Sequence, residues 1–167
     1  LRHDVMSDIV LLKIIGMNPI IVHGGGKSIN AAMERFGLPV EFRNGQRVTT
    51  KEAMDVVREV LVGEVNQDLV HAINAHGNLA VGVSGSDAGT IIARQLDPEL
   101  ICVGEVVKIN TDYLEDLIHS EYIPVVATVG MGTDGTASNN NLNMLEEIRV
   151  FALTQRVRAD DPTVITP

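Results

Sequence analysis

Aromatic side chains are scarce in this chain: three phenylalanines, two tyrosines and no tryptophan make up 3% of its 167 residues. Aliphatic side chains must therefore fill the core, and stacking on aromatics is a poor mode of ligand binding here. Basic residues are also few, 13 against 22 acidic ones, and the net charge of −9 repels phosphate backbones and anionic lipid. Nucleic acid and membrane surfaces are thus disfavoured as partners. The single cysteine, Cys102, excludes an intrachain disulfide, and no charged leader with a long apolar run stands at the amino end. Together these point to a reducing, cytoplasmic setting. Repeats, heptads and membrane-length apolar runs are absent as well.

What is present is an ordinary balance of 45% hydrophobic and 21% charged residues, enough for one domain with its own core. The chain opens at LRHDV, without methionine and already within a helical pattern, so further sequence is expected upstream of Leu1. Apolar residues recur at helical intervals over 5–15, and Gly16 ends that helix before a short strand, Ile20 to Val22. A glycine turn, His23-Gly24-Gly25-Gly26, leads into a helix from Ser28 to Phe36, stopped by Gly37. Asn44-Gly45 is a two-residue hairpin signal, because both turn positions want positive φ. Helical spacing returns from Lys51 to His76, with Thr50 as the cap and Gly63 as a break between two helices. LAVGVSG, ICVGEVVKIN and YIPVVATVG read as strands, and a helix runs from Thr111 to about Ile118. GMGTDGTASNNN is a polar loop, followed by a helix, MLEEIRVFALTQRVR, and a final TVITP. Helix, strand, glycine turn, helix is the rhythm of an α/β sheet.

Successive amides at a strand-to-helix turn, uncovered by Cβ atoms, converge on an anion, and the helix dipole adds favourable potential. His23 to Gly26 suits that task, although a glycine run is also the simplest way to turn a chain tightly. Arg47 follows a hairpin turn, where periodicity alone reads it as solvated. His23 reads as a partly buried turn residue, Lys27 as a solvated first-turn side chain, Ser84 and Asp87 as turn formers, and Cys102 as a core residue within a strand.

Six segments in order, VHGGG, NGQRVT, VLVGEVNQDLV, NAHGNLAVGVSGSDAG, VGEVVKIN and YIPVVATVG, change that weighing. Together they resemble the acetylglutamate kinases of the amino acid kinase family, over Asp8 to about Asn143. The resemblance implies a three-layer αβα sandwich around a mainly parallel sheet, with ligand at the carboxyl ends of the strands. It implies transfer of a phosphoryl group from ATP, accompanied by Mg2+, to the side-chain carboxylate of N-acetyl-L-glutamate, the second step of arginine synthesis. By matching residues, Gly25 and Gly26 would offer amides to the reacting groups and Gly24 would shape the turn. Arg47 would grip the α-carboxylate, a task suited to a guanidinium fork. Asn139 would bind the amino acid from the opposite side, and the hairpin at Asn44-Gly45 would act as a lid. A homodimer or higher homo-oligomer is also implied.

The chain departs from the family pattern in three places. The family's opening strand, ending in Lys-x-Gly-Gly, has no counterpart; Asn143 stands at the family's aspartate; Glu147 falls at a late lysine. Catalytic residues are therefore not assigned. We expect residues 1–143 to form the acetylglutamate-binding lobe and 144–167 to be helix–strand remnants of an ATP-binding lobe. Two alternatives compete with the kinase: a non-catalytic amino-acid-binding or oligomerisation module, and the kinase-like domain of an acetylglutamate synthase.

Overall fold

The computed structural model describes residues 2–133, with side chains from Val5 onward. Asn139, Asn143, Glu147 and the expected tail 144–167 lie outside the described residues. Along the chain, α1 (Arg2–Ile14), β1 (Ile21–His23) and α2 (Gly26–Arg35) precede the hairpin of β2 (Phe42–Arg43) and β3 (Gln46–Arg47). Next come α3 (Lys51–Arg58), a π-helical segment (Glu59–Val65) and α4 (Asn66–Asn74). The remainder is β4 (Ala80–Ser84), β5 (Ile91–Gln95), β6 (Gly104–Ile109), α5 (Asp112–His119), β7 (Ile123–Ala127) and β8 (Met131–Gly132).

The central sheet has the order β1-β7-β4 and is parallel throughout, with Ile21 opposite Val125 and Ala80 opposite Ile123. Every residue of β7 is buried, as a central strand covered on both faces requires, which is why YIPVVATVG reads as a continuous apolar run. Alternate residues serve opposite layers. Ile21, Val125, Ala80 and Ile123 pack with Met6 and Val10 of α1 and Ile73 of α4. Val22, Val81, Val83 and Val126 pack with Leu114 and Leu117 of α5 and with Ile91. A third cluster, at the carboxyl end of β7, joins Ala127 and Val129 to α2, α3 and the π-helical segment. The expected layered α/β sandwich over a parallel sheet is thus what the chain forms.

Three details depart from the reading of the sequence. A second sheet, β6-β5-β8, contains an antiparallel pair, and its middle strand β5 was not anticipated. The run that forms β5 is short and ends in polar Arg94 and Gln95, so only its partners reveal it. The helix from Lys51 does not break at Gly63: the residues joining α3, the π-helical segment and α4 all keep right-handed helical dihedrals. A mid-helix glycine costs about 1 kcal/mol, whereas burying Val60, Leu61 and Val65 stabilises by roughly 1.5–3 kcal/mol each. Burial wins. Finally, Cys102 is in the core as expected, but it sits in a bend before β6 rather than within the strand.

Candidate functional site

Strand β1 delivers the chain into the glycine turn at the carboxyl end of the central sheet, and α2 starts at Gly26 rather than at Ser28. The first-turn amides of a helix lack intrahelical acceptors, so those of α2 are available to an anion. Gly25 is the position where space decides. A Cβ there would lie 2.9 Å from Leu61 Cδ2 and 3.2 Å from Val65 Cγ2, both on the π-helical segment beneath the turn. The turn is pressed onto an apolar floor.

His23 fixes the entry to that turn. Asn66 Nδ2 donates to Val125 O at 2.8 Å, an acceptor only, which identifies the amide nitrogen; the same nitrogen lies 3.0 Å from His23 Nε2. Nε2 must therefore accept, leaving the proton on Nδ1, which faces Gly24 O at 3.4 Å. Burial pushes the His23 pKa below the ordinary histidine value, against a smaller opposing effect of the Gly24 carbonyl. Protonated Nε2 would also meet an amide donor. The ring is a neutral structural element, as the turn reading expected. Thr128 adds a hydroxyl donated to His23 O at 3.2 Å. Asn66, 1% exposed, was not singled out from the sequence, although a lone amide on the buried side of an apolar helix was a visible signal. It lies against Gly82 of β4, where a Cβ would collide with its side-chain oxygen.

Arg47 is where the structure reverses the periodicity reading: it is 2% exposed. The hairpin places it. Asn44 and Gly45 both take positive φ, 50° and 81°, and the resulting register sets Phe42 directly opposite Arg47. The guanidinium carbon lies 4.7 Å from the Phe42 ring centroid, a cation–π arrangement. Beyond the hairpin, Thr49 N donates to Leu100 O at 3.2 Å and Cys102 N donates to Thr49 O at 3.0 Å, while Arg43 pairs with Glu99 at 2.7 Å. These contacts hold the hairpin to the 98–102 segment. Arg47 Nη2 donates to Asn30 Oδ1 and Nη1 to Met33 Sδ at 3.4 Å, both groups on α2. Among the described residues, Nε is the buried side-chain polar atom without a hydrogen-bond partner. Burial lowers the pKa of Arg47, yet a guanidinium stays charged at neutral pH. A buried cation held by neutral groups among the described residues, with a donor unspent, has the chemistry to take an external carboxylate.

Asn30 lies four residues past Gly26, so about 6 Å along α2 separates the guanidinium's anchor from the glycine turn. Helical side chains lean toward the amino end, which brings the two closer still. The structure thereby joins Arg47 to the Gly24–Gly26 turn through one helix. Lys27 is exposed, as expected, and Ser84 N donates to Asp87 Oδ2 at 2.9 Å, as a turn former's role requires. Asn139 lies outside the described residues. Neither Asn30 nor Phe42 was legible beforehand, since their roles depend on the register of the hairpin against α2.

The amino acid kinase family model matches residues 2–145. This chain belongs to the amino acid kinase family. Family members of high similarity include the acetylglutamate kinase of Marinobacter nauticus, 44% identical over 158 residues, covering 87% of this chain and 54% of that protein. Those of Saccharopolyspora erythraea and Caldicellulosiruptor saccharolyticus are 45% and 47% identical, covering 96% and 84% of this chain and 54% and 50% of theirs. The chain thus spans about half the length of the curated relatives it matches. Among solved structures of the fold, smu.665 from Streptococcus mutans UA159 aligns with a TM-score of 0.81 at 30% identity, over 89% of this chain and 61% of that one. N-acetylglutamate synthase from Neisseria gonorrhoeae aligns with a TM-score of 0.72 at 18% identity, over 89% of this chain and 35% of that one; that likeness is one of fold alone.

Proposed function

We propose that the chain is the substrate-binding lobe of an acetylglutamate kinase, which transfers the γ-phosphoryl group of ATP to the side-chain carboxylate of N-acetyl-L-glutamate in the second step of arginine biosynthesis. The observation that carries this reading is Arg47, a buried guanidinium without a carboxylate partner among the described residues, one helical turn from an open glycine turn. Two anion-binding features at that spacing suit a dicarboxylate whose carboxyl groups are separated by three carbons. Identities of 44–47% to proteins named acetylglutamate kinase support the same substrate.

In this reading Arg47 holds the α-carboxylate, while the amides of Gly25 and Gly26 receive the reacting carboxylate or the transferring phosphoryl group and Gly24 shapes the turn. Asn139 binds the amino acid from the opposite side. Phosphoryl transfer asks a protein chiefly to position reactants and spread charge. A carboxylate nucleophile needs no base, in keeping with a buried neutral His23. ATP supplies the phosphoryl group, and Mg2+ comes with it rather than with a protein cage. Residues 1–143 are the acetylglutamate lobe and 144–167 remnants of an ATP lobe, in a cytoplasmic homodimer or higher oligomer. The synthase and binding-module readings are less favoured, because the kinase relatives are far more similar in sequence than the synthase.

Calorimetric titration with N-acetyl-L-glutamate, alongside glutamate and acetylaspartate, tests the substrate. Trapping of the acyl phosphate by hydroxylamine, in the full-length protein supplied with MgATP, tests the chemistry. Absence of acetylglutamate binding would sink the substrate; binding without hydroxamate would leave a binding module.

A further inference from the structure

We propose that Asn30 is a positioning residue: its side-chain oxygen holds the Arg47 guanidinium in place for the substrate carboxylate. The inference rests on the reading of Arg47 given above. Three groups surround the guanidinium, and they act differently. The Phe42 ring, 4.7 Å from the guanidinium carbon, covers a face and leaves rotation in the plane free. Met33 Sδ, 3.4 Å from Nη1, is a weak acceptor. Asn30 Oδ1 is the strong acceptor among them and takes its proton from Nη2. It therefore sets the in-plane orientation of the fork and with it the direction in which the unpartnered Nε points.

Position matters as much as bonding. Asn30 belongs to the helix whose first turn follows the glycines, so the same rigid element sets both the amides and the guanidinium. The separation of the two anion-binding groups is then independent of the hairpin's own movement, provided the contact between Asn30 and Arg47 holds. Orientation paid in advance is gained again in binding, because a guanidinium already facing its partner loses little freedom when the partner arrives.

Asn30 is exposed on its outer side, so alanine there favours the helix and leaves the fold in place, which circular dichroism checks. In the full-length protein labelled with 15N-arginine, the Arg47 guanidinium signals are identified by their loss in Arg47→Met. We expect Asn30→Ala to collapse the separate Nη signals of Arg47 by freeing its rotation and to weaken N-acetyl-L-glutamate binding about tenfold, the range of a hydrogen bond to a charged group in a partly open site. Asn30→Asp keeps an acceptor oxygen at the same reach and so restores the Arg47 signals, but its carboxylate pairs with the guanidinium and competes with that of the substrate, so affinity falls to that of Asn30→Ala or below. Unchanged Arg47 signals and unchanged affinity in Asn30→Ala would overturn the proposal, as would failure of Asn30→Asp to restore the Arg47 signals. Loss of ordered Arg47 signals in Asn30→Ala, in a parent that never binds acetylglutamate, would instead support the anchor and overturn the substrate.

Discussion

At the scale of single residues, the tension at Arg47 is between stability and function. Burying an unpaired cation works against folding, and apolar side chains of similar volume often replace such groups with no loss. Arg47→Met is therefore expected to abolish acetylglutamate binding, by at least a hundredfold, while leaving the urea-unfolding free energy unchanged or raised by about 1 kcal/mol. A variant that binds normally would remove Arg47 from the site. Gly25 poses a problem of space: its Cβ would crowd Leu61 at 2.9 Å. Gly25→Val should lower stability by roughly 1–3 kcal/mol and weaken substrate binding, and adding Leu61→Ala should recover part of the stability loss because it opens the floor. His23 sets a dependence on pH. Its pKa is depressed in the fold, so below about 6.5 the unfolded chain takes up the proton first. The associated stability is present above that value and is lost as pH falls through the folded pKa. Unfolding measured from pH 8 to pH 5 should show this loss, and His23→Gln should flatten it.

At the scale of elements, the long helix shows how packing overrides local propensity. Gly63 suggests a break, yet the buried faces of α3, the π-helical segment and α4 form one stripe against α2 and the central sheet. The π-helical segment, a rare form that recurs at functional positions, places Leu61 and Val65 under the glycine turn. A Cβ at Gly63 would meet nothing within 4 Å, so Gly63→Ala should stabilise by about 0.5–1 kcal/mol in thermal or urea unfolding. A loss of stability there would contradict the open space beside Gly63. The hairpin was legible from Asn44-Gly45 because its turn chemistry is local. That it turns Arg47 inward was not legible, since the pairing of Thr49 with the 98–102 segment joins residues some fifty positions apart.

At the scale of the molecule, net charge and the site act in opposite directions. A chain of charge −9 repels anions at long range, so a dicarboxylate needs fixed local donors to be held. The buried guanidinium and the amides of α2 supply them. Binding should therefore respond only modestly to added salt, since a desolvated contact is screened less than a surface one. Acetylglutamate at a hundred times its dissociation constant should raise the unfolding free energy by about 2.7 kcal/mol, visible as a higher melting temperature. No rise at any concentration would contradict an acetylglutamate site.

Periodicity and turn chemistry, which act within a few residues, determined the helices, the parallel core strands and the two turns of this chain. The ordered motifs pointed to one family, in agreement with the family match over residues 2–145. Only tertiary structure decided the orientation of Arg47, the tie from His23 through Asn66 to Val125, the strand β5 and the unbroken helix across Gly63. Each of these depends on which distant groups come into contact, and burial energy shared among several elements can outweigh the preference of any one segment.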